Sequence, residues 1–199
     1  MKKIFALLLA MLMVVTLVAC NIGGAAPSRG EIDGRVYKNE FLGIEFTRPS
    51  SWRYYSDEEI ASAMNVAVDS LKSENIKKSL EINPAIFDMM VVDASTGTNV
   101  NVVYENLKKV FSSNVSMEKY VEQLKKNVKS EGMNVTFSDE LEKVKLGDTE
   151  FTKCVSTVRA YGVTMTQVYY LKKIDGYMTS VIVTIVNGYS ISDIEAMFK

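Results

Sequence analysis

Thr164-Met165-Thr166-Gln167-Val168-Tyr169-Tyr170-Leu171-Lys172-Lys173-Ile174, then Asp175-Gly176, then Tyr177-Met178-Thr179-Ser180-Val181-Ile182-Val183-Thr184-Ile185-Val186 is the stretch that decides the fold. Both flanks are rich in β-branched and aromatic residues, and the Asp-Gly between them is the signature of a two-residue hairpin turn. In the second flank Val181, Val183 and Ile185 share one face, while Met178, Ile182 and Val186 share the other. A strand that is apolar on both faces needs cover on both, so it belongs in the middle of a sheet with a layer on each side.

Working towards the N-terminus, Glu150–Ala160, Glu142–Leu146 and Val135–Ser138 have the same strand character. Gly147-Asp148 and Tyr161-Gly162 supply turns between the later strands, so an antiparallel meander is expected. Phe87–Ala94 and Asn99–Glu105, joined by Ser95-Thr96-Gly97-Thr98, form a further expected hairpin. Between these groups Met117, Tyr120, Val121, Leu124 and Val128 recur at helical spacing, which predicts a helix over Met117–Lys129 capped by Ser116. Its lysines alternate with Glu118, Glu122 and Glu131, the pattern of a solvated face with helical ion pairs.

An earlier helix is expected from Ser56-Asp57-Glu58-Glu59, which has the spacing of a capping box. The apolar stripe Ile60, Met64, Ala67, Val68 and Leu71 follows it. Lys72–Pro84 reads as loop with a short helical turn, and Ser192-Asp193-Ile194-Glu195 as the cap of a terminal helix through Phe198. Two short strands, Arg35–Lys38 and Gly43–Arg48, precede all of these. The fold class is therefore α+β: an antiparallel sheet flanked by helices, in an α/β/α sandwich.

The N-terminus reads differently. Lys2 and Lys3 precede an uncharged apolar run from Ile4 to Val15, too short for a bilayer-spanning helix of about 20 residues. This is the layout of a cleaved export signal, residues 1–19. Leu17-Val18-Ala19-Cys20 resembles the lipobox of bacterial lipoproteins. That resemblance implies that Cys20 is the first residue kept, carries a thioether-linked diacylglycerol, and holds the chain on the outer side of a cell membrane. An ordinary signal peptide with a chance cysteine is the alternative. Residues 20–34, with Gly23, Gly24, Ala25, Ala26, Pro27, Ser28 and Gly30, read as a flexible tether. Residues 35–199 then make a single domain.

A second resemblance rests on Gly43, Phe46, Pro49 and Trp52 within Phe41–Trp52, which stand where PsbP-like domains place a glycine, an aromatic strand end, a proline and a tryptophan. It implies the fold shared by photosystem extrinsic subunits, a Ran-GTPase-binding protein and many bacterial envelope lipoproteins. It covers about a dozen residues, all structural in character, and so implies a fold and no partner.

Composition narrows the function. The chain has 23 basic and 24 acidic residues and no histidine. No dense basic run supports nucleic-acid binding. Without histidine there is no Ser/His or Cys/His pair, and zinc would lack its usual ligands. Cys154 is expected as a small buried apolar residue. No catalytic residue, metal site or cofactor is expected. The expectation is a non-enzymatic accessory or binding module, anchored to the membrane and serving an envelope protein or a small ligand. A solute carrier for a transporter and a carboxylate-based enzyme are the alternatives. The candidate partner contact is Arg53-Tyr54-Tyr55, expected in the connection between Pro49 and the first helix, because Tyr and Arg concentrate binding energy at interfaces.

Overall fold

The computed structural model describes residues 27–72, 75–110, 114–130, 134–160 and 162–199. The chain enters through β1 (Glu31–Asp33), β2 (Val36–Asn39), β3 (Ile44–Thr47) and β4 (Trp52–Tyr54). Helix α1 (Asp57–Met64), a 3-10 turn (Val68–Leu71) and α2 (Ile76–Ile82) lead to the hairpin of β5 (Ala85–Asp93) and β6 (Asn99–Asn106). Then come α3 (Leu107–Val110), α4 (Met117–Ser130), β7 (Asn134–Phe137), β8 (Glu142–Leu146), β9 (Thr149–Ala160), β10 (Val163–Ile174), β11 (Tyr177–Ile185) and α5 (Ile191–Glu195). The fold is α+β, with an antiparallel sheet and helices packed on it.

Eight strands form the main sheet in the order β4-β5-β6-β11-β10-β9-β7, with β8 also paired to β9, and β1-β2-β3 form a second small sheet. Strand β11 lies centrally and is buried from Met178 to Ile185, as its two apolar faces require. One face meets α4: the Tyr120 hydroxyl donates to Glu105 at 2.6 Å, and Glu105 sits opposite Met178. On the other face Tyr170, opposite Val181, donates to Glu195 of α5 at 2.8 Å. The small sheet joins that side, because Phe46 of β3 bridges to Phe198 and packs on its ring at 5.0 Å.

The meander β9-β10-β11 forms as its turns dictate. Asp175 and Gly176 both adopt positive φ, +45° and +85°, the pairing that a tight I′-type turn demands. Gly147 has φ +58°, and a Cβ there would lie 1.9 Å from the carbonyl carbon of Lys199, so the C-terminus packs against bare backbone. Helix α4 buries Tyr120, Val121 and Val128, and the Ser56–Glu59 capping box opens α1.

Four expectations are corrected. The apolar stripe from Ile60 to Leu71 is not one helix. Asn65 turns left-handed at φ 55° and ends α1 after Met64, a conformation that Asn tolerates better than most residues. Lys72–Pro84 contains a full helix, α2, anchored by buried Ile76 and Leu80 on one face. The terminal cap is Ser190 with Asp193, two residues earlier than Ser192 with Glu195. The earlier start buries Ile194 and delivers Phe198 to Phe46.

The fourth concerns the tether, whose last part is not free chain. Residues 27–34 are docked: Ser28 accepts from the Tyr104 hydroxyl at 2.9 Å, Gly30 N–H donates to Asp88 at 3.0 Å, and Glu31–Asp33 pair with β2 as strand β1.

Candidate functional site

Cys20 and the export segment lie outside the described residues. Arg53, Tyr54 and Tyr55 lie within them, and two of the three stand in a strand rather than a connection. Trp52 pairs with Asp93, Arg53 with Val92 and Tyr54 with Val91, so β4 is an edge strand of the main sheet. The following Tyr55 N–H donates to the Met90 carbonyl at 2.9 Å and carries the edge one residue further.

Two arginines flank this edge and each sits over one tyrosine. The Arg53 guanidinium lies 4.5 Å from the Tyr55 ring centroid, and the Arg48 guanidinium 5.3 Å from the Tyr54 ring. Arg53 also pairs with Glu59 at 2.9 Å, and the same Glu59 oxygen accepts from the Ser56 N–H. The helix cap thus orients the arginine that covers Tyr55. The Tyr54 hydroxyl donates to the Arg35 carbonyl at 3.1 Å and joins the edge to the small sheet. Both rings are half-buried and Arg53 is exposed. Burial pushes the Tyr54 hydroxyl up to about 12, with Arg48 opposing, and burial raises Tyr55 as well. Both phenols are neutral donors at ordinary pH. The patch is a set of planar groups with polar rims, suited to recognition and without a nucleophile.

A second polar cluster was not anticipated from the sequence. Asp88 stands at a register shift between Phe87 and Met89 of β5, and its side chain is fully buried. It accepts from Arg29 Nε at 3.2 Å, Asn39 Nδ2 at 2.8 Å and the Tyr37 hydroxyl, and the Tyr104 hydroxyl, which shares its one proton with the Ser28 carbonyl, lies 3.2 Å away. Arg29 spends its other donors on Asp57 Oδ1 at 2.9 Å and on the carbonyls of Leu71 and Asp88, each at 2.8 Å. Burial lifts the Asp88 carboxyl above its ordinary range, against the Tyr37 hydrogen bond and the Arg29 charge. Burial and the Asp88 charge hold Tyr37 and Tyr104 well above theirs. With both Asp88 oxygens engaged by the protein, this cluster clamps the segment before β1 onto the main sheet. An acid inside the otherwise apolar run Ile86–Val92 was the signal that could have found it.

Elsewhere Glu105 is pushed up to about 7 by burial, with the Tyr120 hydrogen bond opposing. Cys154 is buried, and its thiol is raised by that burial. Among the described residues no group of three or more His, Cys, Asp and Glu is placed to hold a metal ion. No described helix is long and apolar enough to cross a membrane.

No protein-family model matches the chain, and no curated protein matches it. Eight chains of solved structures do match. One is a crystal structure from Bacteroides thetaiotaomicron at 1.50 Å resolution, 13% identical, covering 78% of this chain with a TM-score of 0.40. This chain spans 44% of that protein's length. A likeness at that level transfers nothing to the site.

Proposed function

We propose that the chain is a membrane-anchored, non-enzymatic lipoprotein of the cell envelope that binds a protein partner through the β4 edge. The observation that carries the binding role is the pair of guanidinium–ring contacts, Arg48 on Tyr54 and Arg53 on Tyr55, set along a sheet edge. Arg and Tyr are the residue types in which interfaces concentrate energy, and a flat aromatic edge fits a protein surface better than a small solute. The anchor rests on Leu17-Val18-Ala19-Cys20. In the same proposal residues 35–199 form a PsbP-like domain. Phe46 and Trp52, whose ring centroids lie 6.5 Å apart, support the packing role given to two of its four residues.

Two measurements test this reading. Labelled fatty acid should enter the wild-type chain and not the Cys20→Ala variant, which should persist as uncleaved precursor. A photo-crosslinking residue at position 53, in cells, should capture a protein that the same residue at exposed Lys145 does not. A wild-type chain that takes no fatty acid and leaves the membrane in high salt sinks the anchor. Equal capture from positions 53 and 145 sinks the edge as the binding surface.

A further inference from the structure

The Arg29 clamp fixes where the N-terminal chain leaves the domain. Ser28 is held by Tyr104 near the end of β6, and Arg29 by Asp88 near the start of β5, so the exit lies at one end of the main sheet. The same end carries α2, which stops at Ile82 just before β5, and α3, which begins just after β6. The Leu107 N–H donates to the Gly176 carbonyl at 3.1 Å, which brings the β10–β11 turn there too. Asn106 Nδ2 donates to the Leu80 carbonyl at 3.0 Å and ties α2 to the group.

This end has a distinctive surface. Ile82 is 65% exposed, against 45% for Ile32 and 37% for Val68, the other exposed large apolar residues described. Lys77 and Lys78 are exposed on the same short helix, and α3 adds Lys108 and Lys109. Among the described residues the acids nearby are Asp69, paired with Lys72 at 2.7 Å, Glu81, Asp175 and Glu105, which accepts from the Tyr120 hydroxyl. The balance is mildly basic around an apolar tip. That composition suits the headgroup layer of a bilayer, where an apolar side chain enters and lysines meet phosphates.

Resting on the lipid-anchor reading of Cys20, we infer that this end of the sheet is seated on the bilayer, with Ile82 in the headgroup layer. The length of chain between Cys20 and the docked segment supports this orientation. Six residues separate Cys20 from buried Pro27. Even fully extended, a chain of that length reaches only ~25 Å. Strand β11 alone, at nine residues, is ~30 Å long. To present the opposite end, the chain would have to reach along the side of the domain, beyond its full extension. Seating the exit end needs no such reach and holds the lysines within a Debye length, ~8 Å at physiological salt, of the phosphates. The β4 edge then stands at the flank, open to a partner.

The test uses lipidated, cleaved protein in vesicles of phosphatidylethanolamine and phosphatidylglycerol, with Cys154→Ala to remove the other thiol. An environment-sensitive dye is placed at Ile82→Cys or at exposed Ala94→Cys, in the β5–β6 turn at the far end. Emission from position 82 should shift to the blue and fall at least twofold with nitroxide-bearing lipid, while position 94 shows neither change. Protein that floats with vesicles yet responds equally at both positions, or not at 82, overturns this inference and leaves the anchor standing. Protein that does not float with vesicles overturns the anchor and this inference together.

Discussion

Arg29 and Asp88, 59 residues apart, meet as an ion pair in the interior: Arg29 Nε lies 3.2 Å from Asp88 Oδ1, and the Asp88 side chain has no exposed surface. The pair joins the segment before β1 to the second strand of the main sheet. A buried ion pair gains little over a well-packed apolar pair, but removing one partner leaves a charge without compensation.

Arg29→Met should therefore cost about 3–5 kcal/mol of unfolding free energy. The double variant Arg29→Met, Asp88→Asn should recover much of that loss, since no naked carboxylate remains. Urea unfolding of the two single variants and the double variant provides the cycle. A double variant as unstable as the sum of the singles would mean that Arg29 acts through packing alone.

Glu105 makes stability depend on pH. Its carboxyl titrates at about 7 in the folded chain, against about 4.5 for an ordinary glutamate. Between those values the folded state holds a proton that the unfolded state has lost, so stability falls as pH rises from about 4.5 to about 7. Asp88, also raised, acts with the same sign. Between its two pKa values one such group changes stability by ~1.4 kcal/mol per pH unit. Glu105→Gln should flatten thermal stability across this window and gain most above pH 7. An unchanged slope in the variant would refute the assignment.

Trp52 is the only tryptophan and is 1% exposed. It meets Tyr189 edge-on at 5.3 Å, and its indole N–H donates to the Tyr189 hydroxyl at 2.8 Å. Trp52→Ala should cost about 3–5 kcal/mol. Tyr189→Phe should cost about 1–3 kcal/mol by leaving a buried donor unmet. Native emission should lie to the blue of free indole in water and move to the red on unfolding. Native emission like that of free indole would contradict this packing.

These features were unequally legible in the sequence. Asp175-Gly176, the two apolar faces of Tyr177–Val186 and the stripe from Tyr120 to Val128 are local patterns, and each formed what its period required. Strand β4 was not legible, because three residues carry no alternation and pair with the distant Val91–Asp93. The clamp was hidden for a related reason. Arg29 sits among glycine, proline and serine, and its meaning depends on Asp88, Asp57 and Leu71. Helix α2 has a single apolar turn, Ile76 and Leu80, too short to declare a period. At the candidate site the residue types of Arg53, Tyr54 and Tyr55 were readable, but the partners Arg48 and Glu59 emerge only when the chain folds back.

The proposed β4 interface predicts different outcomes for its two tyrosines. Tyr54 hydrogen-bonds to Arg35 and lies under Arg48, so Tyr54→Phe should cost about 0.5–1.5 kcal/mol, the worth of one hydrogen bond. Tyr55 lies under Arg53, whose other contacts are with exposed Glu59 and the Tyr54 carbonyl. An exposed ion pair such as Arg53–Glu59 contributes at most about 1 kcal/mol. Arg53→Ala should therefore leave the melting temperature nearly unchanged. At an interface the same residue would be desolvated against a partner, where truncation of an Arg or Tyr anchor costs 2 kcal/mol or more, roughly a thirtyfold loss of affinity. Arg53→Ala and Tyr55→Ala should each cut crosslinked or co-purified partner by about that factor, while Tyr54→Phe lowers stability and keeps partner recovery. Melting curves and quantitative co-purification from detergent-solubilised membranes, run on all three variants, make the comparison. Full recovery with both Arg53→Ala and Tyr55→Ala would remove the β4 edge from the interface.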